Sequence, residues 1–317
     1  MISLRYHIVS IVAVFLALAV GIVLGAGPLQ GTGDSGLADQ VEADRRANAD
    51  LESEVTGLES SNAFTDEFAR TVAPTLLGNS LSGRAVTLVV LPTAQQADVS
   101  AIKGFVGVAG GSVAGTVRVG TQLVDVGDKQ LVDELGNQLE GRATGVRIAP
   151  DSSPYERMGA LVARAIGTDR KGGAPVDDGA TSILSGLDTA KLMSVEGRLS
   201  RRGDLLLFVT GPGPSAADAQ RGASSIVSTL VAAVDAGTAG VVLAGPVDSA
   251  RTNGQVKAVR DDVATARDVS TVDTLGRTAG QVVAVMALAG QGAGETGQFG
   301  AMDAADGAMP GARDASQ

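Results

Sequence analysis

Residues 8–25 carry no charge, and Ser10 is the one polar side chain among them. A helix needs about 20 apolar residues to cross a bilayer core. This run and its small flank reach that length before Gly27-Pro28 breaks the pattern. A helix in lipid satisfies its own backbone, so the run predicts a transmembrane helix over 8–28. Arg5, His7 and the amino terminus precede it, Asp34 and Asp39 follow it, and the next positive charge is Arg45. The positive-inside rule then places 1–7 in the cytoplasm and everything beyond the span outside, as a single-pass cell-membrane protein. A cleaved leader is the competing reading. Its apolar core usually has roughly 7–15 residues; this one is longer, although Val23-Leu24-Gly25 or Gly25-Ala26-Gly27 offers small residues for a cut. A helix buried in a globular core is the bland alternative; this run is apolar on both faces and N-terminal, which favours the membrane.

Behind the run, Leu37, Val41, Asp44, Asn48, Leu51, Val55, Leu58, Asn62, Thr65 and Ala69 recur in alternating steps of four and three. That spacing is the a/d seam of a heptad repeat, and it predicts a coiled coil over 36–72. Glu42, Arg45, Arg46, Glu52, Glu54 and Glu59 fall between the seam positions. Leu51, Val55 and Leu58 form the apolar centre. Asn48 and Asn62 fall on a positions, where a buried Asn sacrifices stability and selects a parallel, in-register pair. Chains anchored in one membrane start parallel and close together, which favours even a weak zipper. The expected partner is a second copy, in a parallel homodimer, with a helix of another protein as the alternative. The bland alternative is a lone amphipathic helix packed on its own domain. Pro74 predicts the end of the helix or a bend.

From there the pattern becomes α/β. Strands are expected over Ala85–Leu91, Ser112–Val119, Leu205–Thr210, Gly240–Ala244 and Val269–Asp273, three of them almost continuously apolar. Strands buried on both faces read this way. Helices are expected near 94–109, 215–236, 253–263 and 276–290. The alternation predicts a doubly wound parallel sheet, Rossmann- or flavodoxin-like, over 80–290. Residues 120–203 show helical stretches near 127–139, 154–167 and 179–193 and no strong strand, and are expected to form a helical insertion. Residues 291–317, rich in Gly, Ala and Asp, are expected to be a disordered tail.

The composition limits the chemistry. A net charge of −10 argues against nucleic acid, which needs a basic face. With no Cys, and His7 as the single His, neither a Ser-His-Asp triad nor a His/Cys zinc site fits an exported domain. The carboxylate pairs Asp177-Asp178 and Asp261-Asp262 read as solvated surface. Ligands of α/β sheets bind beyond the carboxyl ends of the strands, which singles out the turns Gly211–Ser215 and Gly245–Asp248. Neither is a phosphate-binding fingerprint, and their prolines remove backbone donors. Soft copper prefers thiolate and thioether donors, yet no two of Met1, Met158, Met193, Met286, Met302 and Met309 share a helical turn. No cofactor and no enzymatic activity are expected.

The start Met1-Ile2-Ser3-Leu4-Arg5-Tyr6-His7 and the following residues 12–21 resemble the actinobacterial copper transporter family typified by MctB. So do Phe68-Ala69-Arg70, Val72-Ala73-Pro74, Gly83-Arg84-Ala85-Val86 and the Asp273–Gln281 stretch. The family is also similar to the SteB-type cell-envelope proteins that partner SteA. The resemblance implies one of two roles. One is copper efflux or homeostasis in the envelope, with no copper ligand to carry over onto this sequence. The other is control of a cell-wall hydrolase during daughter-cell separation, with the hydrolase's coiled coil and a SteA-like membrane protein as partners. The residues favour the second: short, doubly apolar strands separated by helices do not make an outer-membrane barrel. An exported enzyme acting on a sugar or nucleotide at the two turns is the third reading.

Overall fold

The computed structural model describes residues 4–26, 33–141, 143–146, 148–212 and 217–311, with the backbone alone at 4–6, 24–26, 33–38 and 217–221. The chain divides into two compact units, Met1–Phe64 and Thr65–Gln317. The first unit holds helix α1 (Leu4–Ala26) and most of α2 (Gly33–Leu77). Pro74 lies inside α2 instead of ending it. Proline removes one helical hydrogen bond; here the loss falls on an exposed side, while Ala73 and Leu77, fully buried, hold the last turns in place. The seam expected to face a partner as far as Ala69 turns inward there: Ala69 is buried in this chain's own second unit.

The second unit is built on one seven-stranded sheet in the order β3-β2-β1-β4-β5-β6-β7. The strands are β1 (Ala85–Val90), β2 (Ser112–Val119), β3 (Met193–Glu196), β4 (Leu205–Val209), β5 (Val241–Ala244), β6 (Ser270–Val272) and β7 (Gln298–Phe299). All neighbours pair in parallel except β2 and β3, which are antiparallel. The sheet is therefore mixed, and the stretch expected to be purely helical contributes an edge strand. The tail expected to be disordered contributes β7 and stays described to residue 311.

The helices of this unit are α3 (Gln96–Val108), α4 (Lys129–Glu140), α5 (Pro154–Ile166), α6 (Asp178–Thr189), α7 (Ala217–Asp235), α8 (Gln255–Asp261), α9 (Val263–Asp268) and α10 (Thr278–Ala293). The helix expected near 253–263 is α8, and a further helix follows it, because the Asp262 carboxylate accepts from the Ala264 and Thr265 amides and starts α9. Successive strand residues point to opposite faces, and the two cores follow. Val86, Leu88, Leu205, Leu207 and Val242 pack with α3, α10 and the end of α2. Val89, Val117, Leu206, Phe208 and Leu243 pack with α4 to α8. Each apolar strand is thus covered twice, as its sequence requires.

Candidate functional site

Two regions offer surfaces for function: the α2 seam and the carboxyl end of the sheet. On the seam, Val41, Leu51, Val55 and Leu58 are 48, 57, 51 and 57 % exposed, and Asn48, Asn62, Asp44 and Thr65 are exposed beside them. Leu37 lies in α2, with its side chain outside the described residues. The flanking charges pair along the helix, Arg46 with Glu42 at 3.4 Å and Arg70 with Glu67. Such pairs support an isolated helix by only a few tenths of a kcal/mol. A long helix in water gains most of its stability from packing an apolar face, and no described residue of this chain buries Leu51, Val55 or Leu58.

Helix α1 has the same character in stronger form. Its side chains are described over 7–23, and Ile8, Val12, Phe15, Leu18 and Val23 are exposed around it. Among the described residues no helix is long and apolar enough to cross a membrane; α1 itself extends from Leu4 to Ala26, 23 residues.

Where α2 enters the second unit, Asp66 ties it down. The Thr278 amide donates to Asp66 Oδ1 at 3.0 Å, and Arg277 Nη2 lies 3.3 Å from Asp66 Oδ2. The residue before α10 is Arg277, which supplies no side-chain cap, so a carboxylate from another helix satisfies the open amide and the positive end of α10. Gln281, one turn on, donates to Asp98 Oδ1 at 3.1 Å, and burial raises the Asp98 carboxyl above the usual carboxylate range.

At the carboxyl end of the sheet the glycine- and proline-bearing turns are closed by backbone. A Cβ on Gly211 would sit 1.8 Å from the Thr93 carbonyl oxygen, and one on Gly245 2.4 Å from Ser249 Oγ. The Gly245 amide is spent on the Val272 carbonyl at 2.8 Å. Gly211 and Gly245 serve close approach of chain to chain, and the Gly245 amide is no longer open to a phosphate. Gly213–Ser215 lies outside the described residues. Asp177 carries the helical cap of α6 and pairs with Arg164 at 2.9 Å, and its carboxyl is held below the usual range, chiefly by the Ala180 amide. Asp262 caps α9 and Asp261 pairs with Lys257 at 2.9 Å, so these carboxylates have structural work.

Sequence reasoning missed the buried pair Arg260–Asp273. Their charged groups lie 2.9 Å apart, with side chains 7 % and 0 % exposed. Arg260 also donates to Thr271 Oγ1, to the Phe299 carbonyl and to the Met302 carbonyl, while Asp273 accepts from the Ala301 and Met302 amides. This network holds the segment after α10 against the sheet. Asp273 opens the stretch that carried the family resemblance, but nothing in the local pattern marks Arg260 as its partner.

The described donors do not gather a metal. No group of three or more His, Cys, Asp or Glu suited to a metal ion occurs among the described residues. Met158 and Met193 are buried in the core on one face of the sheet, with Met302 packed against it, and Met286 packs against the other. The thioethers therefore act as core filling.

The architecture defines an α/β body joined to a long helix with an uncovered seam and, before it, an apolar helix. Residues 1–310 match the family described as copper transport outer membrane protein, MctB, and the chain belongs to that family. It is 29 % identical over 296 residues to the copper transporter MctB of Mycobacterium tuberculosis strain H37Rv, covering 91 % of this chain and 92 % of that one. It is likewise 29 % identical over 318 residues to the copper transporter MctB of Mycobacterium leprae, covering 95 % of this chain and 96 % of that one.

Proposed function

We propose that this chain is a membrane-anchored, parallel-dimeric protein of the cell envelope that acts without catalysis, as a scaffold. Helix α1 enters the cell membrane with residues 1–7 in the cytoplasm, and the α/β body lies on the outer side. The observation that carries this reading is the pair of uncovered apolar surfaces in succession, one all around α1 and one along Leu51, Val55 and Leu58. Lipid satisfies the first and a second helix the second. Asn48 and Asn62 set the register.

In the reading the seam favours, α2 exchanges partners with the coiled coil of a cell-wall hydrolase, together with a SteA-like membrane protein, and so regulates daughter-cell separation. A second reading, copper homeostasis in the envelope, is favoured by the relatives' names. With no gathered ligand set among the described residues, copper in that reading is cargo handled by an assembly of chains or by a partner.

The chain has no native Cys, so single cysteines report the dimer cleanly. Val55→Cys, at an a position, crosslinks to a dimer in oxidised envelope membranes, whereas Ser60→Cys, on the outer face of the heptad, does not. Equal crosslinking at both positions, or none at Val55→Cys, defeats the dimer. The two processes separate genetically. A clean deletion with chained cells and normal copper tolerance supports the hydrolase reading; copper sensitivity with normal separation supports the other.

A further inference from the structure

Around the apolar centre of the α2 seam the charges are all of one sign. Leu51 and Leu58 hold d positions and Val55 the a position between them, which puts Glu52 and Glu59 at e and Glu54 at g. All three glutamates are exposed, and none of their carboxylates has a hydrogen-bond or ion-pair partner among the described residues. The sequence from Ala47 to Ala69 has no lysine or arginine. Of the two arginines just before it, Arg46 pairs with Glu42 at 3.4 Å, and Arg45 sits at e one heptad before Glu52.

In a parallel, in-register pair each g side chain lies beside the e side chain of the next heptad on the other helix. Glu54 of one copy then meets Glu59 of a second copy, twice by symmetry. Glu52 meets the second copy's Ala47, and Arg45 its Gln40. Pairing with itself thus gives the seam two like-charge contacts and no ion pair across e and g. Flanking charges of this kind set the choice of partner, and like charges brought together select against the wrong one. The apolar centre and the two Asn ask for a parallel helix, while the glutamates ask for one unlike this chain.

We propose, resting on the reading of the seam as a parallel coiled coil, that its preferred occupant is a helix of another protein with lysine or arginine facing Glu52, Glu54 and Glu59. Polar residues at two a positions, two heptads apart, match Asn48 and Asn62. The self-pair is a resting state, held by the concentration that a shared membrane imposes and loosened by its own flanks. Exchange replaces two repulsions with three ion pairs, each of them weak alone because it is exposed. Charge therefore chooses the partner, and Leu51, Val55 and Leu58 hold it. Salt moves the two complexes in opposite directions, because it screens the repulsion in one and the attraction in the other.

The test titrates the full chain in nanodiscs with fluorescent synthetic helices that copy residues 36–72 of its own sequence. The first keeps the native residues. The second carries Ala47→Lys, Glu54→Lys and Glu59→Lys, which sets a cation against each of the three glutamates. The third adds Leu51→Ser and Leu58→Ser to the second, keeping its charge and losing the seam. At about 20 mM salt the second helix is expected to bind at least about tenfold tighter than the first, and at about 500 mM salt the gap closes. The third does not bind. In the full chain Glu54→Lys, which makes both like-charge contacts attractive, tightens the self-pair about tenfold in sedimentation, whereas Asp50→Lys, the same charge change on the outer face, leaves it within about twofold. Equal binding of the first and second helices overturns the proposal. So does binding of the third as tight as the second, an affinity of the second that ignores salt, or no gain in Glu54→Lys over Asp50→Lys. Failure of the dimer reading looks different: no crosslink at Val55→Cys, with the second helix still preferred, removes the self-pair and leaves the basic partner in place.

Discussion

The two units solve the same problem in opposite ways. In Thr65–Gln317 each apolar strand is covered on both faces, and even the charges of Arg260 and Asp273 are enclosed and paired. In Met1–Phe64 every described side chain is exposed, the leucines and valines included. A chain that can bury apolar surface against itself does so, because the gain is about 25 cal/mol per Å². In the proposed reading, surface left open over two consecutive helices is covered by lipid and by a second helix, so the body carries its stability within it and the helices borrow theirs.

That contrast breaks most sharply at the seam. Leu51→Asp with Leu58→Asp removes four leucines, two per chain, from the proposed dimer and adds facing charges, a loss of about 6–12 kcal/mol in association. Analytical ultracentrifugation of the full chain should then show monomer, while the unfolding midpoint of the α/β body stays unchanged. A dimer that persists moves the interface to the body and ends the division of labour.

Asp273→Ala attacks the other side. It leaves the Arg260 guanidinium enclosed without its counter-charge, and breaking a buried pair in this way costs about 3–5 kcal/mol. Denaturant unfolding measures the loss, and hydrogen exchange should show the amides of residues 298–302 opening first. Crosslinking at Val55→Cys should survive, because the seam borrows nothing from this network.

A smaller effect of opposite sign is expected at Asp235. Burial, helped by the nearby Asp268 charge, pushes its carboxyl from 3.8 up to about 6. The folded chain therefore holds this proton more tightly than the unfolded chain. Stability is lost as pH rises from about 3.8 to about 6, and the full penalty is present above that. Asp235→Asn should stabilise the body at pH 7.5 by about 1–3 kcal/mol, partial solvent access keeping it below the full conversion. At pH 3.5 the difference should vanish. A variant as unstable as wild type at pH 7.5 removes the buried-charge account.

How legible each unit was follows from the range of its interactions. β1, β4 and β5 stand out in sequence because Val86–Leu91, Leu205–Val209 and Val241–Leu243 are apolar on both faces, a purely local signal. β3 escaped because Met193-Ser194-Val195-Glu196 is a four-residue edge strand with one side wet, its Glu196 paired to Arg118 at 3.0 Å. β7 escaped because its two residues are held by groups outside any local pattern: the Gln298 amide by Asp306 in the loop that follows, and the Phe299 carbonyl by Arg260, far back in sequence. The inward turn of the seam at Ala69 was hidden for the same reason, since a heptad position looks identical whether its partner is a second chain or a sheet. The Asp273–Gln281 stretch was visible as a resemblance, and the structure gives it a physical meaning. Asp273 holds the tail, Arg277 and Thr278 meet Asp66, Gly280 passes within methyl range of the Thr274 carbonyl, and Gln281 meets Asp98.

Asp66 is where the two strategies meet along α2, and it yields the finest test. Two residues after Phe64, the last residue of the open unit, this carboxylate caps α10 of the closed one. Removing a helix cap costs about 1 kcal/mol, so Asp66→Ala should lower body stability by that amount, with Asp66→Asn recovering most of it through the retained acceptor for the Thr278 amide. The ion pair with Arg277 is half exposed and contributes little, so added salt should shift wild type and Asp66→Asn alike. If Asp66→Ala instead weakens dimer crosslinking at Val55→Cys while leaving body stability intact, the carboxylate belongs functionally to the helix it sits on. The boundary between borrowed and internal stability then moves down α2 to Ala69, the next buried residue.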